Sequence, residues 1–160
     1  MRSEAETDQA LSRYADMVRR ICFVHLKNNA EVEDIFQEVF LKYVLSDKAF
    51  ESDAHEKAWL IRVAINACRD TLRSLARRKV QPLETLYGEM GSMDSEQRDV
   101  LEAVLALPQR YRDVIYLHYF EGYAAVEIAN ILHRSHNTVY TWLDRGRKQL
   151  RDRLGGDALA

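Results

Sequence analysis

Apolar residues along the chain recur with a helical period, broken by short polar stretches, and no segment follows the two-residue alternation of a strand. Leu11, Tyr14, Val18, Ile21, Cys22 and His25 fall at three- and four-residue steps, which predicts an amphipathic helix over about 8–26. Asn28-Asn29 ends it, and Asn29 is placed to cap the next helix. Glu31, Glu33 and Asp34 then lie in a first turn, where acids complement the helix dipole. Val32, Ile35, Phe36, Val39, Phe40 and Tyr43 carry a broad apolar face to about Leu45. The stretch from Ser46 to His55 is polar, with Phe50 alone in its middle. A long helix follows from about Glu56 to Arg78, with Trp59, Leu60, Val63, Ala64, Ala67, Thr71 and Leu75 inward and a basic last turn.

From Val80 to about Asp94 the period is lost, and Pro82, Gly88, Gly91 and Ser92 predict a linker. Val100, Leu101, Val104 and Leu105 then mark a helix. Leu107-Pro108 restarts the chain, proline being suited to a first helical turn. Val114, Ile115, Leu117 and His118 continue until Gly122, a C-terminal stop. Val126 to Leu132 gives a short helix, His133-Arg134-Ser135 a break, and His136 to about Leu154 a last helix. The expectation is an all-α chain of two small helical domains, 8–80 and 97–154, joined by a flexible acidic linker over 81–96.

Charge sharpens this division. The total is −2, yet residues 69–79 hold five basic residues against one acid, and residues 134–153 hold six against two. Residues 81–97 hold four acids and no base. Local patches of this kind, rather than the total, set attraction to phosphates. No run reaches the roughly 18 apolar residues of a membrane span, and Met1 to Gln9 is too acidic for a secretory signal, so the expected location is the cytoplasm, without membrane insertion. Cys22 and Cys68 lack the close spacing of a zinc site and read as buried thiols in a reducing compartment; no metal and no cofactor is expected.

Residues 107–154 have the parts of a helix-turn-helix: a support helix, a tight turn and a longer basic helix. Ser135 is placed to cap that last helix, and Asn137 and Thr138 sit in its first turn, where free backbone N–H groups attract a phosphate. Val139, Leu143 and Leu150 form its inward stripe. Tyr140, Thr141, Arg145, Lys148 and Arg151 form the opposite face, whose arginines can grip phosphate or the acceptor edge of guanine. On pattern alone the alternative is a helical core whose last helix carries a merely solvated basic face.

The wider set of motifs resembles the bacterial sigma factors of the sigma-70 family, in their extracytoplasmic-function group. Leu107-Pro108, Glu121-Gly122-Tyr123, Glu127-Ile128-Ala129 and Thr138 to Arg147 are similar to the family's region four. Asp34 to Phe40 resembles its D-L-V-Q-E-V-F, and Trp59 to Asn66 its W-L-x-R-I-A-x-N, both in region two. The likeness runs over about 8–154, in the family's order and spacing.

The resemblance implies a promoter-recognition subunit of RNA polymerase, with no catalytic residues of its own. It implies that Asp34, Gln37 and Glu38 dock on the clamp of the β′ subunit, and that the flap of the β subunit is a second contact. It implies that Phe50 and its loop, with Asn66, Asp70, Arg73 and Arg77, open the minus-ten element and hold a flipped base. Such capture suits unpaired bases, which are held by stacking and edge hydrogen bonds beside a basic track. Asn66 is also compatible with a satisfied buried amide, and Trp59 reads mainly as core. Minus-thirty-five contacts are implied for His118, Asn137, Thr138, Tyr140, Thr141, Arg145 and Lys148. An anti-sigma protein is a further implied partner. The acidic linker is either an RNA mimic inside the polymerase or a plain tether.

Four positions depart from the family pattern. Tyr140 and Trp142 stand where cations are common, Ala124 replaces a frequent capping serine, and His118 replaces a frequent arginine. These changes bear on which DNA is read. Trp142 either packs against the unit's first helix or faces a partner. A stand-alone helix-turn-helix regulator is the alternative function, but it needs neither the Asp34–Phe40 helix nor the Trp59–Asn66 stretch. An enzyme is disfavoured by the lack of a nucleophile elbow, glycine-rich phosphate loop or ligand cluster.

Overall fold

The computed structural model describes residues 1–26, 28–78 and 94–155, with the side chains of 75–78 outside that set. Its regular elements there are all helices, as the periodicity predicts. The chain divides into two compact units, Met1–Thr85 and Leu86–Ala160.

The first unit contains α1 (Glu4–His25), α2 (Asn29–Leu45) and α3 (Asp53–Arg78), each packed on the other two. α1 starts four residues earlier than the apolar period suggests, because Ser3 Oγ accepts the Glu6 N–H at 3.1 Å and closes the first turn. Asn28, rather than Asn29, caps α2: its side chain accepts the Ala30 N–H at 2.8 Å while its own backbone stays extended. The shift is one residue, because a cap must be non-helical and reach two positions ahead. Ser52 performs the same service at α3, accepting the His55 N–H at 3.1 Å, so that helix begins at Asp53.

Val18, Ile21 and Cys22 of α1, Val39 and Tyr43 of α2, and Leu60, Ile61, Ala64, Ile65 and Cys68 of α3 are almost wholly buried. Each large apolar side chain so buried contributes roughly 1.5–3 kcal/mol. Both cysteines are free thiols in this core, as expected of small hydrophobes. Polar ties cross the bundle at its edges. The Tyr14 hydroxyl donates to the Asp53 carbonyl at 3.2 Å, and that of Tyr43 to Glu56 at 2.8 Å. Burial first, and then the bond to Glu56, push the Tyr43 phenol up to about 12, so it stays a neutral donor.

The second unit contains α4 (Ser95–Leu105), α5 (Gln109–Tyr119), α6 (Ala125–Leu132) and α7 (His136–Leu154). The expected linker falls mostly on residues outside the described set, and its last two positions, Ser95 and Glu96, are helical. Asp94 caps α4 by accepting the Gln97 N–H at 2.7 Å. α7 packs on α4, α5 and α6 and buries Val139, Leu143, Gly146 and Leu150 among them. Gly146 is required by closeness: a Cβ there would stand 2.9 Å from Ile115 Cγ1 and 3.4 Å from Tyr111 Cβ. His133 adopts a left-handed conformation, φ 55°, to turn the chain between α6 and α7, an uncommon state for a residue with a Cβ.

The N-terminus of α6 carries half a capping box. Glu127 accepts the Ala124 N–H at 2.9 Å, but Ala124 has no side-chain oxygen to accept from the first turn in return. Replacing it should complete the pair: Ala124→Ser is expected to stabilise the second unit by about 1 kcal/mol. A raised urea midpoint at unchanged slope checks this, and an unmoved midpoint would mean that Glu127 and water already satisfy the helix end.

Candidate nucleic-acid interface

The turn of the second unit is built by short-range bonds. Ser135 Oγ accepts the Thr138 N–H at 3.1 Å and shares a 2.8 Å bond with the Thr138 hydroxyl. This fixes the first turn of α7 and leaves Thr138 half-buried beside exposed Asn137. The inward stripe is as the period predicts, and Tyr140, Thr141, Arg145 and Lys148 are all exposed on the other side. Arg145 and Arg147 separate here. Arg147 donates to the Tyr119 hydroxyl at 2.7 Å and pairs with Asp144 at 3.5 Å, tying α7 to α5.

Arg145 instead joins Arg110 at one phenol. The Arg110 Nη2 donates to the Tyr111 hydroxyl at 3.3 Å, and the Arg145 guanidinium acts on the same phenol. Hydrogen bonds from Arg110 first and Arg145 second hold that phenol below its ordinary value. Two guanidinium groups from helices far apart in sequence thus converge on one point at the reading face. Arg110 was not singled out by the sequence, since nothing in linear spacing shows that it neighbours Arg145.

His118 is half-buried. Its Nδ1 bonds the Tyr123 carbonyl at 2.8 Å and its ring stands edge-on to Tyr119 at 4.8 Å, so it braces the segment after α5. Trp142 is also half-buried, with the Arg134 guanidinium of the turn 5.7 Å from its ring. That cation–π contact occupies the face that the sequence left open between core and partner.

In the first unit, α2 presents two opposite faces. Val32, Ile35, Phe36, Val39, Phe40 and Tyr43 are buried, while Asp34, Gln37 and Glu38 lie exposed on the far side. Glu38 pairs with Lys42 at 3.0 Å. The same stripe continues through Leu41 and Leu45, 59% and 60% exposed. An acidic and amide edge thus adjoins two open leucines.

On α3, Asn66, Asp70 and Arg73 are exposed and follow one another at four- and three-residue steps along one face. Asn66 stands out between buried Ile65 and Ala67, so the buried-amide alternative does not hold. The side chain of Arg77 lies outside the described residues. Phe50 is half-buried in an aromatic group: its ring is 6.4 Å from Tyr43 and nearly parallel to it, 5.7 Å from Trp59 and 5.3 Å from His55. Trp59 is half-buried, shared between core and loop rather than enclosed.

Comparison with known proteins gives this geometry its family. Sigma-70 region 2 matches residues 10–78, and Sigma-70, region 4 matches residues 97–150. RNA polymerase sigma factor SigV of Bacillus subtilis is 32% identical over 143 residues, covering 88% of this chain and 86% of its own. The ECF RNA polymerase sigma factor SigW of the same organism is 29% identical over 158 residues, with 88% and 84% covered. Among solved structures, the sigma factor RpoE of Bartonella quintana, in complex with the anti-sigma factor NepR, shares the fold. It has a TM-score of 0.75 and 21% identity, over 95% of this chain and 98% of that one. CnrH, in complex with the cytosolic domain of CnrY, does so at 0.69 and 21%, over 98% and 92%. The chain belongs to the sigma-70 family, as a sigma factor of the extracytoplasmic-function group. No helix among the described residues is long and apolar enough to cross a membrane.

Arg145→Ala is expected to weaken binding to a minus-thirty-five duplex by roughly 1–3 kcal/mol, the range of one bidentate contact, with core-polymerase affinity unchanged. Fluorescence anisotropy of the labelled duplex measures it. Unchanged anisotropy would take Arg145 off the reading face.

Proposed function

We propose that this sigma factor docks on the clamp of the β′ subunit through Asp34, Gln37 and Glu38, and takes the minus-ten element with the face of α3 and the loop before it. In this reading α7 enters the major groove of the minus-thirty-five element, while the β flap holds the second unit. The observation that carries it is the placement of Asn66. An amide exposed between two buried neighbours, in line with Asp70 and Arg73, is free to read the edge of an unpaired base.

Region 4 alone would serve a stand-alone regulator. The match of residues 10–78 to region 2, with its acidic face on α2, supports a polymerase-bound factor instead. The protein works as an initiation factor rather than an enzyme, in the cytoplasm, where the polymerase is. Both solved relatives were obtained with a partner, an anti-sigma factor for RpoE and the cytosolic domain of CnrY for CnrH. On that likeness this chain too is held by an anti-sigma protein. Asn137, Thr138, Tyr140, Thr141, Lys148 and Arg145 make the upstream DNA contacts, with His118 bracing them, and Phe50 and Arg77 complete the downstream set.

Core binding followed by run-off transcription tests the reading as a whole; a chain that neither binds core nor directs initiation overturns it. Gln37→Ala together with Glu38→Ala is expected to weaken core affinity about tenfold, or 1.4 kcal/mol. Asn66→Ala is expected to leave the closed complex intact and lower permanganate reactivity of the minus-ten thymines. Equal loss of both would remove Asn66 from base capture.

A further inference from the structure

We propose that Arg2 is a positioning residue for promoter opening, which clips the loop of residues 46–52 onto the end of α2 and so presents it to the melted strand. The proposal rests on the reading that this loop and the Asn66 face capture an unpaired base.

The loop has few bonds of its own. Lys48 N–H reaches Ser46 Oγ at 3.1 Å and Glu51 N–H reaches His55 Nδ1 at 3.1 Å, both across short spans. Its attachment to the unit comes from the packing of Phe50 on Tyr43 and Trp59, from an exposed ion pair of the Met1 ammonium with Asp47 at 2.8 Å, and above all from Arg2, which precedes α1 and lies ahead of residues 10–78 that match region 2. The Arg2 Nε donates to the Tyr43 carbonyl at 2.9 Å, and its Nη2 donates to the Lys48 carbonyl at 2.6 Å. Its backbone N–H donates to the Val44 carbonyl at 2.9 Å. Tyr43 and Val44 belong to the last turn of α2, where carbonyls have no partner within the helix and a cation is favoured. One residue thus caps a helix and holds the chain that leaves it.

The same guanidinium lies 4.4 Å from the Tyr43 ring centre and 4.8 Å from that of Phe50, and the Arg2 side chain is only 10% exposed. Phe50 therefore has a fixed neighbour on the Arg2 side and the Trp59 and His55 rings beside it. A planar fork that bonds two carbonyls while stacking on rings is a geometry that arginine offers and lysine does not. Arg2 touches the loop's backbone and its one aromatic side chain together, so it sets the loop's height above α3. It would act on DNA through that loop.

The test uses holoenzyme reconstituted with the full chain. Its probe is a labelled single strand of the non-template minus-ten sequence, defined by sequencing holoenzyme-bound DNA, with a matching set of single-base substitutions. Arg2→Ala is expected to weaken binding of the matched strand about tenfold, the worth of one charge-assisted hydrogen bond. It is also expected to shrink the preference for matched over substituted strands, at unchanged core and minus-thirty-five affinity. Arg2→Lys, which keeps the charge without the fork, should recover only part of the preference, and it carries the test if Arg2→Ala does not fold. Equal weakening of matched and substituted strands, in step with a lowered melting temperature, would make Arg2 merely structural and overturn the proposal. So would wild-type binding and preference in Arg2→Ala while Phe50→Ala and Asn66→Ala lose theirs. If those two variants also bind normally, base capture itself is wrong and the proposal falls with it.

Discussion

At the centre of the second unit, α7 comes so close to α5 that a Cβ at Gly146 would stand 2.9 Å from Ile115 Cγ1 and push that side chain aside. The rest of the reading apparatus depends on that contact. It fixes the rotation of α7 about its own axis, with Val139, Leu143 and Leu150 turned to the core. The residues between them must then face outward. Arg147, bound to the Tyr119 hydroxyl, closes the same seam from its rim. A helix held this tightly enters a groove as a rigid body, and orientation rather than affinity is what the packing provides.

The first unit solves a related problem with helices that are shared between core and surface. α2 gives one face to the bundle and the other, from Asp34 to Leu45, to solvent. α3 buries Ile65 and Ala67 yet exposes Asn66 between them. Burial of the flanking residues restricts the backbone at the position from which Asn66 projects. The loop between the two helices cannot borrow rigidity from a core of its own. It obtains it from an aromatic group and from an arginine that also bonds the Tyr43 and Val44 carbonyls at the end of α2.

Helix number, helix faces and the outward set on α7 were legible in the sequence, because each follows from a period of 3.6 and from capping residues with a local reach. The misplacement of the α2 cap by one residue shows the limit of that reading: Asn28 and Asn29 are alike in composition, and only backbone conformation separates them. Exposure of Asn66 was half legible, as an oddity between apolar neighbours whose direction the pattern left open. Arg2 and Arg110 were not legible. Their partners lie 41 and 46 positions away for Arg2, and Arg110 meets Arg145 only through the fold. His118 and Phe50 illustrate the same point in reverse. Their positions suggested DNA contacts, while the folded chain also gives each a bracing role among neighbouring rings.

The division of labour along α7 has a corollary. Tyr140, Thr141 and Lys148 carry none of the core, so exchanging them alters the folding free energy by only about 0.5 kcal/mol either way. At Gly146, between Thr141 and Lys148 in the same helix, any side chain would press on Ile115 and force it to shift. The outward face of α7 can therefore be exchanged without disturbing the scaffold that holds it.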